Sequence, residues 1–340
     1  MSTEQIVEKL EQCEYSESVL SAALTLTGDS QKQLFHIAQL SRENRFPSRE
    51  VQVRSVIEMS NICRQKCRYC IIGADNQQIN YTLGVNEIVS LMDYLYKEGR
   101  RVILLQSGEN NNPSFIDDVV KAVGTIKDKY EDLQIILCMG DLSQHDYRRL
   151  YDAGASNYIL KFETSNSKLF SYCKPNDTLE NRLECIETLI DIGYNVGSGN
   201  IVGLPGQTMQ DIVSDLMLVH KLPLAMNSTT VFIPAENSVF ENEQAGNPNV
   251  TLNMMALMRI MNPHRYMPTT SSLEKMILDG QYLGLLAGAN TVTIHDGTPE
   301  HLQKFFPIYS TKRVLPQKEH FRDIIYRAGL QVKSFSKFVN

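Results

Sequence analysis

Strand and helix patterns alternate along most of the chain, and this alternation most constrains its fold. Each β-rich stretch is followed by an amphipathic or helix-like segment, an order typical of parallel βαβ units. Eight such units predict a closed (β/α)8 barrel of the TIM type, in the α/β class. The eight β-rich stretches begin near residues 51, 101, 133, 157, 194, 227, 265 and 290. Closure requires the last predicted strand, near residue 291, to pair with the first, near residue 52.

The parts of the chain outside this alternation are predicted to be helical. The stretches STEQIVEKLEQ and DSQKQLFHIAQLSREN near the N-terminus carry capping residues and apolar side chains at helical spacing. We therefore predict three regions. They are an N-terminal helical extension at residues 1–48, a barrel at 49–300 and a short C-terminal helical segment at 301–340 that packs on the barrel.

Polar residues and glycines collect where the predicted strands end. The active site of a TIM-type barrel lies at the C-terminal ends of its strands, so these residues predict one large polar site there. The stretches are QSGEN at 106–110, KFETSN at 161–166, GNIVGLPGQT at 199–208, FIPAEN at 232–237, PTTSSLE at 268–274 and IHDGTP at 294–299.

Three cysteines follow the first predicted strand in the stretch VIEMSNICRQKCRYCIIG. Cys63, Cys67 and Cys70 have the spacing C-x3-C-x2-C. A structural zinc site is normally closed by four ligands, and the nearest other Cys or His residues, His36 and Cys138, are distant in sequence. Three thiolates on a [4Fe–4S] cluster leave one iron open to an outside ligand. The spacing favours such a cluster, and a zinc-stabilised binding module remains the non-catalytic alternative.

The charges and remaining cysteines exclude several other classes. We expect Arg64, Lys66 and Arg68 to help keep the clustered thiols deprotonated. The chain has a net charge of -6, no dense basic run and no apolar stretch near the roughly 18 residues of a membrane span. Neither nucleic acid nor a membrane is therefore an expected partner, and the polar N-terminus predicts a cytoplasmic location. Four scattered cysteines are interpreted as small apolar residues: Cys13, Cys138, Cys173 and Cys185.

The cysteine motif, with an aromatic residue before its last cysteine and a barrel strand before it, resembles that of the radical S-adenosylmethionine (SAM) enzymes. The resemblance implies a [4Fe–4S] cluster whose open iron binds the methionine part of SAM, and reductive cleavage of SAM to a 5′-deoxyadenosyl radical. It also implies two sets of residues. The cluster ligands are Cys63, Cys67 and Cys70, and the cofactor-binding residues are Tyr69, Gln106, Ser107, Gly108, Glu109, Glu163, Arg182, Ile201 and Gly203.

Within these enzymes, longer stretches such as LLQSGE, ETSNSKLF and VGLPGQT resemble the branch of the FeFe-hydrogenase maturase HydE, with methylornithine synthase (PylB) and biotin synthase as its relatives. This likeness implies a small amino-acid-derived substrate and cofactor assembly for the hydrogenase or a related task. Its implied partners are an electron donor such as ferredoxin or flavodoxin and other maturation proteins. A PylB-like amino-acid mutase is the alternative.

The chain departs from the maturase pattern in the substrate region. Lys161 and Phe162 stand where Arg and His are expected in RHET, FIPAENSV lacks a Pro-x-x-Thr-Pro pattern, and no cysteine follows Cys185. A second cluster is therefore not expected. The candidate residues of the substrate cavity are Lys161, Thr269, Thr270, Ser271, His295 and Asp296. Loop capping by the two threonines and a structural role for the histidine are equally compatible with the sequence.

Overall fold

The computed structural model describes residues 1–73, 79–306 and 318–333 of the 340-residue chain. The strands are β1 Glu50–Ser60, β2 Val102–Ser107, β3 Gln134–Cys138, β4 Asn157–Ile159, β5 Asn195–Val202, β6 Met226–Val231, β7 Thr291–Ile294 and β8 Gln331–Val332. The helices are α1 Thr3–Glu11, α2 Glu17–Leu24, α3 Gly28–Arg45, α4 Val85–Lys97, α5 Pro113–Lys129, α6 Gln144–Asp152, α7 Ser167–Cys173, α8 Leu179–Ile192, α9 Met209–Lys221, α10 Pro248–Met261, α11 Ser271–Met276, α12 Gly280–Leu286, α13 Glu300–Gln303 and α14 Lys318–Arg327.

The barrel strands are parallel and lie in the order β6-β5-β4-β3-β2-β1-β7. The first and last predicted strands pair as closure requires, with Gln52 opposite Thr291. The α/β barrel class is thus confirmed. The short β8 pairs with the beginning of β1, outside the strand–helix alternation.

The seventh barrel position is not a regular strand. Where the sequence predicted one at residues 265–270, Tyr266 forms an isolated bridge with Met226 of β6, and Pro268 forms another with Thr291 of β7. Proline has no backbone N–H to donate to a ladder, which limits this segment to single bridges. The segment still links β6 to β7 and completes the ring.

Two separate apolar clusters show which side chains face inward. The main core lies between the strands and the surrounding helices. A smaller cluster joins side chains from strands on opposite sides of the ring, so it fills the barrel interior: Val56, Val102, Leu104, Ile136 and Met226. Because side chains alternate along a strand, the polar residues further along each inward-facing row reach the open end of the barrel.

The N-terminal helices cover one side of the barrel. Gln31 of α3 donates to the side chain of Asn253 in α10 at 2.9 Å, and buried Arg42 donates to the carbonyls of Leu285 and Ala289. Residues 307–317 and 334–340 of the predicted C-terminal segment lie outside the described residues. The borders at residues 48 and 300 stay a prediction.

Candidate active site

The three clustered cysteines lie in the loop after β1, and their side chains face one cavity. Cys63, Cys67 and Cys70 are free thiols that line a cavity of about 400 Å³. In the described part of the chain, no three Cys, His, Asp or Glu side chains are close enough to hold a single metal ion.

Backbone hydrogen bonds tie the cysteine loop to three neighbouring loops. The Arg64 N–H donates to the carbonyl of Glu109 at 3.0 Å, and the Arg68 N–H donates to the carbonyl of Cys173 at 2.9 Å. The Phe240 N–H donates to the carbonyl of Arg68 at 3.1 Å. The loops after β2 and β6 and the end of α7 therefore set the position of the thiols.

Gly108 allows the loop after β2 to approach the cysteine loop closely. A Cβ atom at Gly108 would lie 2.3 Å from the carbonyl oxygen of Ile62 and 2.8 Å from the Cβ of Cys63. Only glycine fits at this distance. The approach brings the Glu109 N–H to 3.3 Å from the Sγ of Cys63, to which it donates. A hydrogen bond of this kind stabilises the thiolate form of the cysteine.

Burial opposes ionisation of the thiols. It raises the pKa of all three, and that of Cys70 reaches about 11. The ammonium group of Lys174 lowers the pKa of all three thiols. Lys174 is only 4% exposed and lines the same cavity. The sequence predicted this effect for Arg64, Lys66 and Arg68 of the cysteine loop itself. Burial therefore favours the neutral thiols, and the irons of a cluster would supply the positive charge that stabilises thiolates.

Arg182 is surrounded by three buried carboxylates at one side of the cavity. Its Nη2 lies 3.4 Å from Oε2 of Glu109, 3.2 Å from Oδ2 of Asp141 and 3.0 Å from Oδ2 of Asp177. Lys174 Nζ is also 3.0 Å from Oδ2 of Asp177. Burial raises the pKa of Asp141 to about 7, against the opposing effect of Arg182. The network places two cations and several carboxylate oxygens beside the thiols.

Some polar atoms of this network have unused hydrogen-bonding capacity. Among the described residues, Gln65 Oε1, Asp141 Oδ1 and Arg182 Nε are buried without a hydrogen-bond partner. Buried polar groups without partners are costly, and a bound ion or ligand is one arrangement that satisfies them. Together with the three thiols, they fit a site for a cluster and a polar, charged cofactor.

Glu163 stands at the end of β4 in a left-handed backbone conformation, with φ at 65°. Its N–H donates to the carbonyl of Gly199 at 3.0 Å, and its carbonyl accepts from the Ile201 N–H at 2.8 Å. Its Oε2 lies 3.0 Å from Nζ of Lys161, which donates to Oγ1 of Thr230 at 3.1 Å. Such a conformation is strained by about 1–3 kcal/mol and persists only where neighbours hold it. Here it aims the Glu163 carboxylate into the cavity.

An apolar wall faces the charged side of the cavity. Tyr69 packs against a small cluster that includes Ile201 and Phe232, and all three line the cavity. Gly203 is not among the described lining residues. With φ at 90°, it packs against Gly246, whose Cα would be 2.3 Å from an added Cβ.

The structure therefore brings most of the predicted site residues together. All the predicted cluster ligands and all the predicted cofactor-binding residues except Gly203 line the cavity, as does Lys161. The polar residues and the glycine that line it without having been predicted as site residues are Gln65, Gly140, Lys174 and Thr230, and the other unpredicted lining residues are apolar. Gly140 follows β3, a barrel strand for whose end no polar stretch was predicted. No motif marks Lys174, which follows α7.

Five predicted substrate residues are not among the described residues that line the cavity. Thr269 donates to the carbonyl of Gln281 at 2.8 Å, and the hydroxyls of Thr270 and Ser272 are 2.9 Å apart. Ser271 begins α11. Thr269 thus holds a loop contact, whereas Thr270, the N-cap of α11, makes no side-chain capping bond.

The last two of these five residues contact buried charged side chains. His295 Nδ1 lies 3.0 Å from Oε1 of fully buried Glu58, and Asp296 Oδ2 lies 2.7 Å from Nη2 of Arg100. Both side chains therefore hold structural contacts, which is the other role that the sequence left open for the histidine.

Comparison with known proteins agrees with the fold and the cavity. The sequence profile of the radical SAM superfamily matches residues 57–219, across the cysteine loop and Arg182. The [FeFe] hydrogenase maturase subunit HydE of Thermotoga maritima is 33% identical over 323 residues, covering 94% of this chain and 91% of that protein. The chain belongs to the radical SAM superfamily.

Within that superfamily the chain is a HydE-like enzyme. Biotin synthase of Parabacteroides distasonis is 25% identical over 279 residues, covering 81% of this chain and 84% of that protein. The solved structure of methylornithine synthase (PylB) covers 98% of both chains with a TM-score of 0.83 at 21% identity. That of the maturase HydG from Carboxydothermus hydrogenoformans covers 99% of this chain and 81% of its own, with a TM-score of 0.81 at 19% identity. The two structures share the fold.

The cofactors follow from this membership. Radical SAM enzymes use a [4Fe–4S] cluster and SAM, act on small molecules and need a reductant. The thiols, the cations and the buried atoms without partners fit this pair of cofactors. In the described part of the chain, every helix is too short or too polar to cross a membrane.

Proposed function

We propose that Cys63, Cys67 and Cys70 bind the cluster and leave its fourth iron to SAM, whose methionine part lies between Glu163 and Arg182. The observation that carries this proposal is that one cavity is lined by all three thiols and by both of these charged side chains. Bound together and reduced, the two cofactors supply a 5′-deoxyadenosyl radical.

In this proposal, charge complementarity orients SAM. Carboxylate oxygens of Glu163 and Glu109 accept from the ammonium group of the methionine part, and the Arg182 guanidinium donates to its carboxylate. Lys174 adds a second buried cation beside the same group. The adenine lies against Tyr69 and the apolar wall, where water is excluded.

The proposed substrate is small and derived from an amino acid. Lys161 and Thr230 line the cavity with an ammonium and a hydroxyl group, which suit an anionic group of such a substrate. As in the HydE-like enzymes, the proposed task is assembly of a metal cofactor, with ferredoxin or flavodoxin as the electron donor and other maturation proteins as partners. A cytoplasmic location and the division at residues 48 and 300 belong to the same proposal.

The test is anaerobic reconstitution with iron and sulfide, followed by reduction with dithionite in the presence of SAM and an assay for 5′-deoxyadenosine. We expect about four irons per chain and product from the wild type, and neither from Cys67→Ala. Cys13→Ala, which removes an exposed cysteine outside the cavity, is the matched control and should behave as the wild type. One zinc and no iron would contradict the proposal and favour the zinc-stabilised module. A rearranged amino acid among the products would favour the mutase.

A further inference from the structure

Asp215, a residue without a place in the proposed binding of cofactors, links two walls of the cavity. It lies in α9, is fully buried and is not among the described residues that line the cavity. A buried carboxylate is costly unless hydrogen bonds satisfy it. Both of its oxygens are satisfied, and their partners come from two regions, the turn after β4 and the end of β5 with the loop behind it.

One oxygen holds the turn after β4. Asp215 Oδ1 accepts from the backbone N–H of Ser165 at 2.5 Å and from its hydroxyl at 2.6 Å, with the Thr164 hydroxyl at 3.4 Å. These two residues directly follow Glu163, whose left-handed backbone needs support from its neighbours. The carboxylate therefore supports the conformation that aims Glu163 into the cavity.

The other oxygen holds the end of β5 and the loop behind it. Asp215 Oδ2 accepts from Asn200 Nδ2 at 3.1 Å and from Gln207 Nε2 at 3.0 Å. Gln207 in turn donates to the carbonyl of Ile201 at 3.0 Å, and its Oε1 accepts from the Gly203 N–H at 2.6 Å. This chain of bonds fixes the backbone that carries Ile201 on the apolar wall.

We infer that Asp215 is a positioning residue for SAM: its buried carboxylate supports the direct backbone bonds between Glu163 and β5 and holds the Glu163 turn and the Ile201 backbone in place, so that both contact the cofactor together. The inference rests on the proposed function. None of the residues that donate to Asp215 is one of the three clustered cysteines, so the carboxylate acts on SAM binding and not on uptake of the cluster.

The test compares three chains after cluster reconstitution. Asp215→Asn keeps the shape of the side chain but replaces one acceptor oxygen with an amide group. The N–H of that amide then faces groups that donate to the carboxylate in the wild type. Gln207→Met removes the hydrogen bonds that join Gln207 to Asp215 and to the backbone at the end of β5. It leaves the bonds between Asp215 and Ser165 in place. Leu216→Ala removes core packing from the neighbouring position of the same helix and is the matched control. For each chain, iron content, the melting temperature and the Kd of SAM by equilibrium dialysis are measured.

We expect Asp215→Asn to raise the Kd at least tenfold and Gln207→Met to raise it a few-fold, both with the iron content of the wild type. Leu216→Ala should lower the melting temperature and leave the Kd within twofold. An unchanged Kd in both polar variants, or an equal rise in the control, would overturn the inference. If Asp215→Asn does not fold, Gln207→Met alone decides. A wild type that takes up the cluster but binds no SAM would instead contradict the proposed function and, with it, the inference.

Discussion

The two sides of the barrel mouth carry polar side chains at similar positions but use them differently. On the side of β1, β2 and β4, charged groups from several loops meet around one cavity, and Arg182 alone contacts three carboxylates. On the side of β7 and α11, the polar side chains are engaged in pairs, such as His295 with Glu58. A polar residue at a strand end therefore indicates the functional face of a barrel, but its partner decides whether it faces a ligand.

The largest effect is expected from Gly108→Ala on the cavity side. A Cβ atom there would collide with the backbone of the cysteine loop at 2.3 Å, so the loops after β1 and β2 would have to separate. We expect at least a tenfold loss in cluster retention, measured as iron per chain after desalting. Gly124→Ala is the matched control, because nothing lies within 4 Å of its added Cβ in α5. Full iron content in Gly108→Ala would show that the close approach is dispensable.

A paired test of two strand-end residues sharpens the comparison. Glu163→Gln removes the charge that the proposal assigns to the SAM ammonium group, and we expect the Kd of SAM to rise at least tenfold. His295→Ala removes a partner of buried Glu58, and we expect a loss of about 1–3 kcal/mol of stability with unchanged SAM affinity. Equal losses of SAM binding in both variants would erase the distinction between the two sides.

Asp296→Ala tests the structural role of the β7 side in another way. It removes the carboxylate from Arg100, which is 1% exposed, and we expect the loss of this charged contact to cost about 1–3 kcal/mol. Urea unfolding should show this loss, while iron content after reconstitution stays that of the wild type. Wild-type stability combined with impaired turnover would contradict the structural role and favour the earlier prediction that Asp296 contacts the substrate.

The smallest expected effect is a pH dependence from Asp141. Its pKa is raised from about 3.9 in an unfolded chain to about 7, mainly by burial. Its contribution to stability is therefore present at low pH and is lost as the pH rises through about 7.

Urea unfolding of the metal-free protein between pH 5 and 8 measures this loss. The wild type should lose up to about 1.4 kcal/mol per pH unit relative to Asp141→Asn. Parallel pH curves for the two chains would contradict the shifted pKa.

Much of this architecture could be predicted from the sequence because its signals are local. Strand–helix alternation and the cysteine spacing predicted the barrel, its closure between residues 52 and 291 and the group of thiols. The sequence predicted a regular seventh strand, whereas the structure has only isolated bridges there. Pro268 has no backbone N–H to donate to a ladder, and only the structure identifies its position as part of the barrel.

The remaining features depend on contacts between distant residues. Lys174 follows α7 without any motif, yet its buried ammonium affects all three thiols. In the sequence, Asp215 is an ordinary helix residue. Its role depends on hydrogen-bond partners after β4 and at the end of β5, which only the structure shows. Asp296 carries no sequence mark of its contact with Arg100, which is 196 residues away along the chain.

The central claim is that three thiols leave one iron of the cluster open to SAM. The most direct measurement is the electron paramagnetic resonance spectrum of the reduced, reconstituted protein, recorded with and without SAM. We predict the signal of a reduced [4Fe–4S] cluster whose shape changes when SAM is added, because SAM binds directly to an iron. A cluster signal that SAM leaves unchanged would contradict the claim.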